Sequence, residues 1–156
     1  MYLFRGHDIY DLDFDNLAEI AEFLDGKLSQ LCNYSVSAFQ TYMTDTASCA
    51  GKRKHEVFKY GAKTPSGASK VQIVNAAANY WKHREEWVFD DGRRQKAIDQ
   101  LFEEVGYSTR VDYPISGVLT ELLAPAEMTF ASLLTVIRDW RDDLIAHTRA
   151  EQQRSS

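Results

Sequence analysis

Two groups of side chains in this 156-residue chain combine types and spacings suited to acid–base or phosphate chemistry. In the segment IRDWRDDLIAHT, residues 137–148, Arg141 and His147 stand six positions apart, about 120° apart round an α-helix at roughly 100° per residue. Leu144 falls halfway between them in angle. Arg141 therefore borders one edge of an apolar stripe (Phe130, Leu133, Ile137, Trp140, Leu144) and His147 borders the other. Where such a helix meets a neighbouring helix or a second subunit, the guanidinium can hold a phosphate. The imidazole, with an ordinary pKa of about 6.5, can move a proton at neutral pH. The competing reading is structural. In it Asp142 pairs with Arg138 one turn back, Arg141 meets a glutamate of a facing helix, and His147 merely edges the stripe.

The second group lies in NYWKHREEW, residues 79–87, where Asn75, Asn79, Lys82, His83 and Glu86 form a polar stripe at three- and four-residue steps. Asn79 and His83 are one turn apart and placed to hydrogen-bond. Lys82, His83 and Arg84 are three adjacent donors able to receive a phosphate. Against this stands a solvated face in which Glu85 and Glu86 screen the basic triplet. His7 and His55 have nothing at ligand spacing nearby and read as surface histidines.

These residues need helices to carry them, and the rest of the chain supplies helical periodicity. It contains three prolines and eight glycines, and its long uninterrupted stretches repeat apolar residues at helical rather than alternating steps. The first helix is expected from Asp13 or Asp15 to about Met43, running through Gly26 with Leu17, Ile20, Leu24, Leu28, Leu31, Ser35, Ala38 and Tyr42 in phase. Residues 47–69 read as an irregular basic loop, with Lys52, Arg53, Lys54, Lys59 and Lys63 either solvated or a phosphate-binding patch. Ser69 caps a second, central helix with apolar positions Ile73, Ala77, Tyr80 and Trp87 flanked by Val74, Ala78, Trp81 and Val88, closed by Asp90-Asp91-Gly92. A third helix spans about Arg93 to Val105 and ends at Gly106. Residues 107–115 suit a short extended piece, Ser116 caps a helix that Pro125 interrupts, and a last helix runs from about Glu127 to Ala150. The expected fold is one all-α domain over residues 1–156, a bundle of four to five helices.

Composition narrows the classes of function. Hydrophobic residues make up 44% of the chain and charged residues 26%, the balance of a compact domain that needs neither disulfide nor structural metal. Cys32 and Cys49 are too few for a disulfide framework and read as reduced thiols. No apolar run approaches the roughly 20 residues of a membrane span, and the acidic start does not read as a signal peptide. The expectation is a cytoplasmic protein with no membrane partner, no metal and no cofactor. With 18 basic and 23 acidic residues, the net charge of −5 provides no global field for nucleic acid, so any such contact is local. Glycine-rich phosphate loops, His-Glu-x-x-His and Gly-x-Ser-x-Gly do not occur in the sequence.

Arg141-Asp142-Asp143-Leu144-Ile145-Ala146-His147 resembles the R-x4-6-H motif of HEPN domains, small all-α proteins of bacterial toxin–antitoxin and antiviral systems. Asp142 fits the polar residue that commonly follows the motif arginine. The place two residues after His147, a tyrosine in some HEPN proteins, is Arg149 here. The resemblance implies a HEPN-like helical bundle with the motif helix packed against a long partner. It also implies a metal-independent endoribonuclease whose motifs meet across a homodimer interface. Arg141 would stabilise the scissile phosphate, His147 would take the 2′-hydroxyl proton or protonate the leaving 5′-oxygen, and Asp142 would orient one of them. Asn79, Lys82, His83 and Arg84 are the candidate RNA contacts. From a different class, the acidic stretch Asp8 to Asp25 suits a non-catalytic immunity protein or antitoxin bound to a basic toxin.

Overall fold

A computed structural model of the protein describes residues 17–84, 92–110 and 113–154. Among these residues there are six helices and no strand: α1 (Leu17–Cys49), α2 (Lys54–Val57), α3 (Lys70–His83), α4 (Arg93–Glu103), α5 (Pro114–Leu123) and α6 (Phe130–Arg154). The chain is all-α, with five helices of ten residues or more and α2 a single turn. The expected starts at Asp13 or Asp15 and the expected run from Glu85 to Asp91 lie outside the described residues, as do Trp87 and Val88.

Helix α1 is the long member, 33 residues and so about 50 Å at 1.5 Å per residue. It runs through Gly26 as expected but continues past Met43. Its end is fixed by Gly51 in the left-handed conformation (φ 65°). Gly51 N–H bonds to Ser48 O and Lys52 N–H to Ala47 O, each at 3.0 Å, the pair of bonds that closes a helix when its next residue adopts positive φ. The buried face of α1 is Cys32, Val36, Phe39, Met43 and Ala47. The in-phase stripe read from the sequence lies about 100° round from that face, and its Leu24, Leu28, Leu31 and Tyr42 are exposed. Periodicity located the helix; the core selected the neighbouring arc.

Helix α3 is central, touching α1, α4, α5 and α6. Ser69 caps it as expected: its hydroxyl accepts from Gln72 N–H at 3.2 Å, while Gln72 Oε1 accepts from Ser69 N–H at 2.8 Å. Small residues Ala76, Ala77 and Ala78 are all buried and let the neighbouring helices approach closely. Helix α5 starts earlier than expected. Tyr113 precedes Pro114 at the first helical position, which proline's fixed φ favours, and Ser116 lies inside the helix with its hydroxyl on Tyr113 O at 2.9 Å. This replaces the short extended piece expected over 107–115 for those positions that are described. Thr129 begins α6, its Oγ1 accepting from Ser132 N–H at 3.0 Å.

Residues 47–69 are not the solvated loop that their charge suggests. Ala47 to Cys49 complete α1, α2 forms one turn, and Val57, Phe58, Tyr60 and Thr64 are buried. The reason lies in α6. Trp140 is fully buried and donates from Nε1 to Val57 O at 2.9 Å, so this segment covers the core beneath the motif helix. Both cysteines are free thiols, Cys32 buried and Cys49 exposed. No helix among the described residues is long and apolar enough to cross a membrane.

Candidate active site and the adjoining polar cleft

Leu133, Ile137, Trp140 and Leu144 bury one stripe of α6 as its periodicity requires, with Val136 beside them. Phe130, also placed on that stripe, is exposed and stacks on Phe39 with ring centroids 5.2 Å apart. Because Leu144 is buried, Arg141 and His147 emerge on opposite margins. Neither is covered: their side chains are 36% and 56% exposed.

Each group is held by its own neighbours. Arg141 is bound by Asp142, with Nε at 2.9 Å and Nη2 at 2.7 Å from Oδ1. The Tyr42 hydroxyl of α1 and then the Asp142 carboxylate push the guanidinium pKa further above its ordinary value. On the other margin, His147 Nδ1 lies 2.9 Å from Asp143 O and 3.2 Å from Asp143 Oδ1. The opposite carboxylate oxygen, Oδ2, accepts from Gly61 N–H at 2.8 Å. The imidazole rests on Tyr60, ring centroids 4.9 Å apart. With Nδ1 occupied, Nε2 is the nitrogen left for proton transfer, and it makes no hydrogen bond among the described residues.

The segment that orients His147 fits because position 61 is glycine. Gly61 has φ 79°, and a Cβ there would stand 2.9 Å from both Cα and Cβ of Trp140, closer than real Cβ contacts allow. The backbone therefore reaches α6 directly, one turn from the histidine. Further along, Lys52 pairs with Glu151 at 2.5 Å, and Lys59 stands over the Tyr60 ring at 5.2 Å. Part of the basic content of this segment is thus gathered beside His147.

Asp142 does orient Arg141, as expected. The structural alternative of an Arg138–Asp142 pair is not what forms, nor does a facing glutamate take Arg141. No hydrogen bond or ion pair joins Arg141 to His147 within the chain. Sequence reading missed Asp143, Tyr60 and Gly61. The Asp143–His147 spacing of four residues was a visible signal for the first, whereas the other two depend on a tertiary approach.

The α3 group divides. Gln40 of α1, only 5% exposed, donates from Nε2 to Asn75 Oδ1 at 2.9 Å and to Asn79 Oδ1 at 2.8 Å, and its Oε1 accepts from Lys82 Nζ at 2.5 Å. Asn79 thus bonds across the helix interface rather than to His83. Lys54 lies close to Lys82, and burial first, then that neighbouring positive charge, lower its pKa. His83 lies on another side of α3, lining a cleft of about 390 Å³ against α4. Arg84 sits over the Trp81 ring at 5.3 Å. Lys82, His83 and Arg84 therefore do not converge on one phosphate, because successive helical residues turn by about 100°. Gln40 was the residue to flag: a polar side chain beside Phe39 and among the buried Val36 and Met43 needs partners.

Comparison with family models, curated proteins and solved structures gives no match.

Proposed function

We propose that the chain is a HEPN-like, metal-independent endoribonuclease or RNA-binding protein of a bacterial toxin–antitoxin or antiphage system, working as a homodimer. The observation that carries this reading is His147. It is a solvent-reachable imidazole whose Nδ1 is fixed by Asp143, on the same helix as an arginine locked by Asp142. Cleavage would use the RNA's own 2′-oxygen. His147 Nε2 takes the 2′-hydroxyl proton, the oxygen attacks phosphorus, and the 5′-oxygen leaves with a proton from the partner imidazole or water. The products are a 2′,3′-cyclic phosphate and a 5′-hydroxyl. Arg141 offsets the charge that builds on the phosphoryl oxygens.

One chain presents these groups on opposite sides of α6, so one phosphate meets both only where Arg141 of one copy faces His147 of another. An apolar surface adjoins the motif: Leu24, Leu28, Leu31 and Tyr42 of α1 and Ile145 of α6 are all exposed, which suits a subunit contact. The test is RNA cleavage by Arg141→Ala and His147→Ala, each expected to retain the helical fold and lose activity. Mixing the two variants restores part of the activity when the site is composite, since one of the shared sites then holds both native groups. Unchanged cleavage in both single variants overturns the proposal. The same exposed α1 surface also suits the second reading, an immunity protein or antitoxin. Expression of the chain alone separates the two, harming the host under the first and protecting it from a co-encoded toxin under the second.

A further inference from the structure

The cleft between α3 and α4 is lined by Asn75, Ala76, Asn79, His83, Arg94, Ala97, Ile98 and Leu101. Its volume of about 390 Å³ falls within the roughly 300–1,000 Å³ of small-ligand sites. Its chemistry is set from behind, by α1. Lys82 Nζ can only donate, so Gln40 must turn Oε1 toward it and Nε2 toward α3. Gln40 Nε2 then claims Oδ1 of both Asn75 and Asn79. The acceptors of both asparagines are engaged, and their Nδ2 groups, without a hydrogen bond among the described residues, are what they offer to the cleft. Arg94 adds positive charge and no carboxylate lines the space. The site therefore asks for acceptors and negative charge.

The spacing specifies more. Asn75 and Asn79 are separated by about 6 Å along the helix axis at 1.5 Å per residue, too far for one carboxylate or one phosphate to satisfy both. A rigid frame with acceptors several ångströms apart does so, and Ala76, Ala97, Ile98 and Leu101 provide an apolar floor for its faces. We infer that the cleft binds a ribonucleotide, with ring nitrogens or carbonyls of the base on the amides of Asn75 and Asn79 and the phosphate toward Arg94. This builds on the RNA reading above by naming a base-binding subsite remote from the cleavage motif. Gln40 is a positioning residue here, since it holds the amides in their donor orientation without touching the nucleotide.

The test is calorimetric titration of the full chain with the four nucleoside 5′-monophosphates, ribose 5-phosphate and inorganic phosphate. At least one nucleotide is expected to bind tenfold or more tightly than inorganic phosphate and ribose 5-phosphate. Asn79→Asp keeps an acceptor for Gln40 but replaces the donor facing the cleft, and should weaken that nucleotide at least tenfold. Ala97→Phe, at an exposed wall position, fills the space and should do the same with an unchanged circular dichroism spectrum. Equal affinity for nucleotide and phosphate overturns the inference, as does indifference of binding to both substitutions. A chain that cleaves RNA yet binds no nucleotide here refutes the subsite alone. A chain that binds nucleotide but leaves RNA intact refutes the nuclease and keeps the subsite.

Discussion

Replacing Gly61 by alanine probes the contact on which the orientation of His147 depends. Two penalties combine there. A residue with a Cβ in the left-handed region costs roughly 1–2 kcal/mol. The new methyl would also lie 2.9 Å from Trp140 Cα and Cβ, atoms that belong to a backbone and to a fully buried side chain and cannot swing aside. Overpacking of this kind costs typically about 1–3 kcal/mol, so the sum is about 2–5 kcal/mol. At roughly 2–4 °C per kcal/mol for a domain of this size, the melting temperature should fall by about 4–20 °C. Gly106 is the control, with a nearly identical φ of 78° and nothing within 4 Å of a Cβ, so Gly106→Ala should cost only the first part. Urea unfolding of both variants gives the difference directly. Equal destabilisation of the two would refute the close approach of this backbone to α6, and with it the account of how Asp143 is held.

Gln40→Leu removes the hub of a buried network and leaves Asn75, Asn79 and Lys82 each without a partner. Since Lys82 is exposed and can regain water, a loss of about 1–3 kcal/mol in urea unfolding is expected, and stability equal to or above that of the parent protein would contradict it. Glu56 reports on the segment beneath α6. Hydrogen bonds from the Arg53 side chain and then its backbone hold the Glu56 carboxyl at about 2, down from 4.5. A depressed carboxylate pKa contributes stability that is complete above its unfolded value and disappears as pH falls through the folded one. The gap in urea midpoint between the parent protein and Glu56→Gln should therefore be constant above about pH 5 and close between there and about pH 2. A gap that is independent of pH over that interval would contradict the assignment.

Much of the fold was legible because it rests on local chemistry. Ser69 with Gln72 is a capping pair written within four residues, Gly106 ends α4, and the Leu133–Ile137–Trp140–Leu144 stripe buries as its phase requires. What the sequence could not display was which of two apolar arcs on α1 faces inward. Both Leu24–Leu28–Leu31 and Cys32–Val36–Phe39–Met43 recur at helical steps, and only the packing of α3 and α5 against the second decides. The basic segment after α1 misled for a related reason. Its charge advertises solvent, yet Val57 and Tyr60 are anchored by Trp140 and His147, more than 80 positions away for the first pair.

The candidate site divides along the same line. Arg141, Asp142 and His147 stand where one helix and its phase put them, so spacing alone placed them. Asp143 serves His147 because the two are one turn apart, and Gly61 secures Asp143 only through a tertiary approach. In the second group the spacing identified Asn75 and Asn79 but not the direction of their hydrogen bonds. That direction follows from Lys82, which has no acceptor: its donation fixes the Gln40 amide, and the Gln40 amide fixes both asparagines as donors toward the cleft. A lysine at position 82 thus determines the polarity of a pocket it does not line. Lys82→Glu would remove the donor that orients Gln40 and free its amide to turn over, so that the asparagines would offer oxygen instead of nitrogen to the ligand.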